Sequence, residues 1–358
     1  MAGVYISWPF CSQKCTYCNF ASGVFPRELE ARYLGRLIEE LRAFAWEWTP
    51  ETVYLGGGTP GSMPGEALRQ VLSLVPGRPW REATLEAAPG DITRESVADW
   101  IGSGINRASL GVQSFVQEEL RRTGRKHTAE GVARDVALLR EAGIGNINVD
   151  LIAGLPAQTE QSWRASLEWI ERLEPPHVSV YMLEVDEDSR LGRELLAGGS
   201  RFGAGAAPSE EIVADFYEFA VEFLERRGWR RYEISNFARQ GFESRHNLKY
   251  WRLEPYAGFG ADAHSFDGEW RTANTDDVRR YVEHGPQPQR VRAELQSERY
   301  LTGLRLMEGV EITPAGEMRF GEAIARFERD GLLERDGARV RLTRRGVMLS
   351  NEVFEAFL

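Results

Sequence analysis

Three thiols carry the most specific chemistry in this sequence. Cys11, Cys15 and Cys18 are the only cysteines among 358 residues, and they fall within eight positions. Three thiolates on a short loop can wrap one corner of a cubic iron–sulfur cluster and leave the fourth iron without a protein ligand. An open metal position can bind a substrate or cofactor. The same residues also admit other readings: buried thiols on one helix face, a zinc site completed by a distant His, or a redox dithiol of Cys15 and Cys18. Pro9 ahead of the run, with Thr16, Tyr17 and Asn19 in or beside it, disfavours a helix. Structural zinc usually takes paired Cys-x2-Cys, and a dithiol leaves Cys11 unused. An odd, clustered set of thiols also argues against a disulfide framework.

Further polar residues stand where chemistry could use them. Gly56-Gly57-Gly58-Thr59-Pro60 follows a strand-like run, and glycines there let the backbone approach a ligand or take positive φ. Read alone, that run is also a simple turn. Glu86 and Asp150 interrupt apolar strand patterns, and a buried carboxylate needs a ligand or a network. Gln113 follows another strand. Arg125, twelve residues on, could pair with a carboxylate, and the surface-charge reading fits it better than it fits Glu86 or Asp150. His246 offers an imidazole for axial iron ligation, with the flat rings of Tyr250 and Trp251 nearby. His264 is a second ligand candidate, whereas His127, His177 and His284 read as surface or loop histidines.

The elements that must position these residues are legible from periodicity. Strands are expected at 4–6, 52–55, 84–87, 107–110, 147–152 and 178–182. Leu34, Leu37, Ile38, Leu41, Phe44 and Trp48 form one helical stripe, and shorter helical patterns fill 65–75, 93–103, 128–142 and 160–173. Six strand–helix units imply a parallel α/β sheet, and the pattern stops short of the eight units of a closed barrel. A partial (β/α)6 barrel is therefore expected, with its site at the C-terminal strand ends.

The run 197–205 reads as a flexible connection or lid. A helix at 209–227 and an extended segment at 230–234 follow it, and 236–290 shows weak periodicity. Beyond 292, a helix around Phe320, Ile324 and Phe327, a hairpin at Asp336-Gly337 and a last helix suggest a small α+β, winged-helix-like domain. The expected domains are 1–200, 201–290 and 291–358.

Composition narrows the function classes. With 44 Lys+Arg against 54 Asp+Glu and a formal charge of −10, the chain lacks the basic balance of a phosphate-contacting nucleic-acid binder. No run reaches the ~18 apolar residues of a membrane helix. The N-terminus lacks a signal-peptide pattern, so a cytoplasmic location is expected.

Cys-x3-Cys-x2-Cys with Tyr17 before the last Cys resembles the signature of radical S-adenosylmethionine (SAM) proteins. That resemblance implies a [4Fe–4S] cluster on Cys11, Cys15 and Cys18, with SAM chelating the fourth iron, on a partial (β/α)6 barrel. Tyr5-x3-Pro9-Phe10-Cys11, Gly56-Gly57-Gly58-Thr59-Pro60, Gly111-Val112-Gln113-Ser114-Phe115 and Asp150-Leu151-Ile152-x-Gly154-Leu155-Pro156 together resemble the oxygen-independent coproporphyrinogen III oxidase group. The likeness extends over essentially the whole chain. It implies SAM contacts from Tyr5, Tyr17, Gly57, Gly58, Thr59, Glu86, Gln113, Arg125 and Asp150, some to a second SAM in that group. One departure is Ala88, where relatives usually carry Asn.

Within the group, three features resemble the haem-chaperone branch rather than the oxidases. The first strand begins near residue 3, leaving no room for the oxidases' N-terminal extension. Phe20 stands where oxidases have a further Cys. His246-Asn247-Leu248-Lys249-Tyr250-Trp251 is similar to the His-Asn-x-x-Tyr-Trp motif associated with haem binding, implying haem contacts from His246, Asn247, Tyr250 and Trp251.

The implied function is a haem chaperone that binds haem, a [4Fe–4S] cluster and SAM, and passes haem to an acceptor protein. The alternative is radical oxidative decarboxylation of coproporphyrinogen. Expected partners are haem, the acceptor, an electron donor such as a flavodoxin or ferredoxin, and transiently a membrane. Nucleic acid is not among them.

Overall fold

In a computed structural model, described for residues 2–358, six parallel strands form the central wall. They are β1 (Gly3–Trp8), β2 (Thr52–Gly57), β3 (Glu82–Ala87), β4 (Arg107–Gln113), β5 (Asn146–Ala153) and β6 (His177–Met182). Each pairs in parallel with the next in chain order. The strands match the expected positions with ends extended by one to three residues.

Helices return the chain between strands: α1 (Arg27–Ala43), α2 (Gly65–Ser73), α3 (Arg94–Gly102), α4 (Gln117–Arg122), α5 (Ala129–Glu141) and α6 (Glu160–Leu173). Their starts are written locally. Thr93 with Ser96, and Thr159 with Ser162, exchange side-chain and backbone bonds as capping boxes for α3 and α6. Helix α1 buries Leu29, Tyr33, Leu37 and Leu41 at four-residue spacing. It ends before Phe44, which turns to extended geometry. Phe44, Trp46 and Trp48 instead form an aromatic cluster with Phe259.

Parallel strands are usually apolar on both faces. Here Val4, Ile6, Val53, Leu55, Ala83, Leu85, Ala108, Leu110, Ile147 and Val149 are all buried and belong to the apolar core. The alternate positions carry Tyr5, Ser7, Thr52, Tyr54, Glu82, Glu86, Arg107, Ser109, Asn148, Asp150, His177 and Ser179. Their mutual hydrogen bonds show a polar lumen.

The wall does not close. After α7 (Arg190–Leu196) and α8 (Glu210–Glu225), β7 (Arg230–Arg231) and β8 (Asn236–Ala238) add to β6 in antiparallel sense. Beyond α9 (Arg245–Trp251), β9 (Tyr256–Phe259) pairs in parallel with β1. The ribbon β10 (His264–Phe266), β11 (Trp270–Ala273) and β12 (Gln289–Arg292) extends that edge to a twelve-stranded open sheet. These short strands lie where the sequence shows only weak periodicity. The expected lid at 197–205 follows directly on α7 and runs into a 3-10 turn at Arg201–Ala206, with Phe202 and Gly203 at positive φ.

After α10 (Val278–His284), a small unit follows with α11 (Leu295–Gly303), β13 (Val310–Glu311), α12 (Pro314–Arg329), β14 (Leu333–Asp336), β15 (Arg339–Leu342), α13 (Arg344–Met348) and α14 (Ser350–Glu355). Its hairpin loop is Gly337-Ala338, one residue later than expected, because Asp336 pairs with Arg339. Gly337 supplies the positive φ (+60°) of such a loop. The expected last helix is broken at Leu349. This unit is the winged-helix-like α+β domain, and Arg344 ties it to Glu218 (3.1 Å) and Glu222 (2.8 Å) on α8.

Candidate functional site

The cysteine loop leaves the C-terminal end of β1, where a barrel of parallel strands builds its site. Cys11 N–H donates to Gly23 O (2.9 Å) and Gly23 N–H to Pro9 O (2.9 Å), closing the neck of the loop. Inside it, Thr16 N–H reaches Thr123 O (3.2 Å), Leu191 N–H reaches Thr16 O (2.8 Å), and the Gln13 amide donates to Gly124 O. The loop is thus clamped between the turn after α4 and the start of α7. All three thiols remain partly exposed. Burial pushes the Cys11 thiol up, while bonds from Thr59 and Ser22 and the neighbouring thiols also act on it. Cys18 Sγ lies 3.8 Å from Ser22 Oγ.

Arg125 is not a free surface charge. Its guanidinium donates to Gly111 O (2.7 Å) and Tyr17 Oη (3.1 Å) and bonds Cys15. A fixed cation therefore stands against the thiol loop, where thiolates or an anionic cluster would be favoured. Three thiols with no fourth protein ligand suit a cluster corner better than a closed tetrahedral site. Among the described residues, no three His, Cys, Asp or Glu side chains converge as a single-ion site.

Beside the loop, a cavity of about 110 Å³ is lined by Tyr5, Ser7, Gly57, Glu86, Phe20 and Asp262, among others. Glu86 is the ionisable floor of this site. Its carboxylate accepts from Tyr54 Oη (2.8 Å) and from Gly57 N–H. Burial raises it to about 7; Tyr54, Gly57 N–H and Arg107 lower it, and the nearby Asp150 charge raises it. Asp150 accepts from Asn148 Nδ2 (2.7 Å) and Ser109 Oγ (3.4 Å), and burial holds its carboxyl above the usual range.

Gln113 combines two signs of a ligand contact. It adopts φ +70° where the β4–β5 register slips, and its buried Oε1 has no partner. An orphaned acceptor on a strained residue is what a donor-bearing ligand such as SAM would satisfy. The glycines divide their work. Gly57, at φ +103°, faces the cavity. A Cβ on Gly58 would lie 2.7 Å from Pro9 C and Trp8 O, so that glycine lets β2 approach the root of the thiol loop. Thr59 bonds the Cys11 thiol and donates its N–H to Phe10 O (2.9 Å).

The His246 motif sits elsewhere. His246 is fully buried at the N-terminal end of the strands, with Nδ1 2.9 Å from Thr52 Oγ1 and Nε2 2.7 Å from Tyr250 Oη. Its ring stacks on Tyr54 at 5.3 Å, and burial holds it neutral, with a pKa of about 3. Trp251 packs under the Arg305 guanidinium (4.6 Å), and Asn247 N–H is bonded by the Ser244 cap (3.3 Å). His264 is exposed beyond Asp262. His127 and His177 are not surface residues: both are buried. His177 bonds Asn148 (2.6 Å) and Tyr232 (2.9 Å), because its position on β6 points into the lumen.

Comparison with known proteins follows the same lines. Residues 5–170 match the Radical SAM superfamily, and 292–349 match the HemN C-terminal domain. The chain is 35% identical to the heme chaperone HemW of Lactococcus lactis, covering 99% of this chain and 96% of that one. Against the heme chaperone HemW of Bacillus subtilis the identity is 33%, over 100% and 99%. The chain belongs to the HemW family of radical SAM proteins. Membership of that family implies a [4Fe–4S] cluster and SAM. The fold is also that of the Escherichia coli coproporphyrinogen III oxidase HemN, a radical SAM enzyme, with TM-score 0.83 at 22% identity over 99% of this chain and 89% of that one.

Sequence reasoning missed Ser7, Arg107 and Asp262. Arg107 is buried in the lumen, its Nη1 3.4 Å from Thr84 Oγ1 and its Nε without a partner. The signal was there to read: Arg107, Ser109, Gly111 and Gln113 place non-apolar residues at every second position of a buried strand. Asp262, at φ +61°, had no comparable signal, because its loop shows no periodicity.

Proposed function

We propose that this protein is a haem chaperone: it binds haem, holds a [4Fe–4S] cluster with SAM, and transfers haem to an acceptor protein. The observation that carries this reading is near full-length identity of 35% and 33% with two heme chaperones. Phe20 supports it, since this residue stands exposed at the cavity mouth where the oxidase pattern calls for a further Cys.

In this reading Cys11, Cys15 and Cys18 hold the cluster. Tyr5, Tyr17, Gly57, Thr59, Glu86, Gln113, Arg125 and Asp150 surround SAM, with Gly58 supporting the loop. The cluster would supply an electron-accepting centre with one iron left free by the protein for SAM. The chain's own residues bind and orient it. Glu86 and Asp150 offer negative charge to a cationic ligand, Gln113 offers an amide, and Arg125 steadies the thiol side.

Domain limits of 1–200, 201–290 and 291–358 separate the barrel, the extension with the His246 motif, and the C-terminal unit. An electron donor such as a flavodoxin or ferredoxin, a cytoplasmic location and transient membrane contact complete the proposal. Among the described residues no helix is long and apolar enough to cross a membrane.

The test is anaerobic: reconstitute the cluster, then measure haem binding and coproporphyrinogen decarboxylation in parallel. Stoichiometric haem binding and its transfer to an apo-haem protein, without porphyrin formation, is the expected result. Catalytic porphyrin production would overturn the chaperone reading.

A further inference from the structure

His246 itself has no opening toward a ligand. Both ring nitrogens of His246 are bonded, and its side chain is fully buried. The backbone around it is anchored as firmly. Glu82 at the start of β3 accepts from Ser244 Oγ (3.3 Å), Arg245 N–H (2.9 Å) and His246 N–H (2.9 Å). Tyr232 Oη bonds both His177 (2.9 Å) and Ser244 N–H (3.2 Å). The segment 232–251 therefore spans the base of the lumen from β6 to β1, β2 and β3.

Gly3 is cut to fit the imidazole. A Cβ there would meet His246 Cε1 and Nδ1 at 3.1 Å and Thr52 Oγ1 at 3.0 Å. Above the imidazole lies Tyr54, stacked on it, and Tyr54 Oη donates to Glu86 at the cavity floor. Tyr5 stacks alongside Tyr54 at 6.2 Å. Two residues of strand rise, about 7 Å, separate Thr52 beside His246 from Tyr54. The most direct path from His246 to the cofactor site thus runs through one aromatic ring, Tyr54.

We propose that His246 is a positioning residue of the cofactor site: α9 plugs the barrel base, and His246 fixes Tyr54 so that its hydroxyl holds Glu86. Haem, where bound, would then be held by groups other than His246. The proposal rests on the reading of Glu86 as a SAM contact. The groups facing Glu86 are Tyr54 and Gly57 N–H as donors, Asp150, Arg107, and the phenols of Tyr5, Tyr181 and Tyr250. Loss of the Tyr54 bond leaves the carboxylate one donor short, so it takes up a proton more readily.

The test measures SAM affinity by anaerobic calorimetry of the cluster-loaded protein from pH 6 to 9, with haem binding followed in the Soret region. His246→Leu is expected to weaken SAM binding about tenfold, the scale of one lost hydrogen bond, and to move the pH midpoint upward. Haem binding should remain at wild-type stoichiometry. Gly3→Ala, which touches neither SAM nor haem, pushes the imidazole from below and should move both SAM readouts the same way. It also serves if His246→Leu does not fold.

Loss of haem binding in His246→Leu with unchanged SAM affinity overturns the proposal. If Glu86→Gln weakens SAM binding but His246→Leu and Gly3→Ala do not, the coupling through Tyr54 is wrong. If Glu86→Gln itself leaves SAM affinity unchanged, the underlying assignment of Glu86 fails, and the proposal with it.

Discussion

Glu86→Gln should make the protein more stable and worse at binding its cofactor, and the two effects have calculable sizes. Burial raises Glu86 from its ordinary value of 4.5 to about 7. Between those values the folded chain keeps a proton that the unfolded chain has released. Stability from this group is therefore complete below pH ~4.5 and declines as pH rises to ~7, with no further loss above. A shift of about 2.5 units corresponds to roughly 3 kcal/mol withheld from the folded state at pH 8. Gln keeps the shape and an acceptor for Tyr54 but never ionises, so it removes most of that penalty. For a chain of this length, whose unfolding entropy is about 0.75 kcal/mol per degree, 3 kcal/mol is about 4 °C in Tm.

The assay is thermal unfolding of the cofactor-free protein at pH 5 and pH 8. The Gln variant should melt about 4 °C above wild type at pH 8, and the gap should shrink toward zero at pH 5. SAM binding should move oppositely. If the ionised carboxylate is the binding form, wild-type affinity falls about tenfold from pH 8 to pH 6 as the ionised fraction drops, and the Gln variant is flat over that range. A pH-independent difference in Tm, or a variant less stable than wild type at pH 8, would refute the assignment of a desolvated carboxylate.

Replacing Cys11, Cys15 or Cys18 with Ser should each abolish the visible absorption of the reconstituted cluster; retention in any one would remove that residue from the ligand set. Gly58→Ala drives a Cβ to 2.7 Å from the Pro9 and Trp8 backbone. Overpacking of that kind costs about 1–3 kcal/mol, and here it should also slow or reduce cluster loading, as iron and sulfide analysis would show. Arg125→Met removes the cation beside Tyr17 and Cys15. A less positive surround disfavours adding an electron, so potentiometric titration should find a more negative cluster potential; an unchanged or raised value counts against the contact.

The elements that place the site could be read because each strand buries one apolar set against helices. Val4 and Ile6, Val53 and Leu55, and Ile147 and Val149 mark β1, β2 and β5 in the sequence and sit in the core. The helices announce themselves through caps such as Thr93 and Thr159. What could not be read is what depends on partners far along the chain. Strands β8 to β11 have only three or four residues each and take their pairing from β6, β1 and one another. Read by spacing alone, the stripe of α1 continues to Trp48, because Phe44 and Trp48 keep helical spacing. They serve a different surface, the Phe259 cluster, after the chain has left the helix.

The site itself shows how a residue type misleads when its face is unknown. His246 beside Tyr250 and Trp251 reads as a porphyrin clamp, and His177 reads as a surface or loop histidine. Position decides otherwise. His177 starts β6 on the same side as Ser179, Arg107 starts β4 on the same side as Ser109, and Glu82 starts β3 on the same side as Glu86. Each strand therefore carries polar groups from the base to the mouth of the barrel. Such a lumen is costly unless its members satisfy one another. At its base, Glu82, Thr52, His177 and Tyr232 do so by bonding the segment that leads into α9. Nearer the mouth, Gln113 Oε1 stays unpaired and Glu86 stays protonated up to about pH 7. Apart from Arg107 Nε, these base groups are bonded, which suits closure, whereas the open acceptor and raised carboxyl near the mouth suit a ligand. His246 lies at the base and the thiols lie at the mouth.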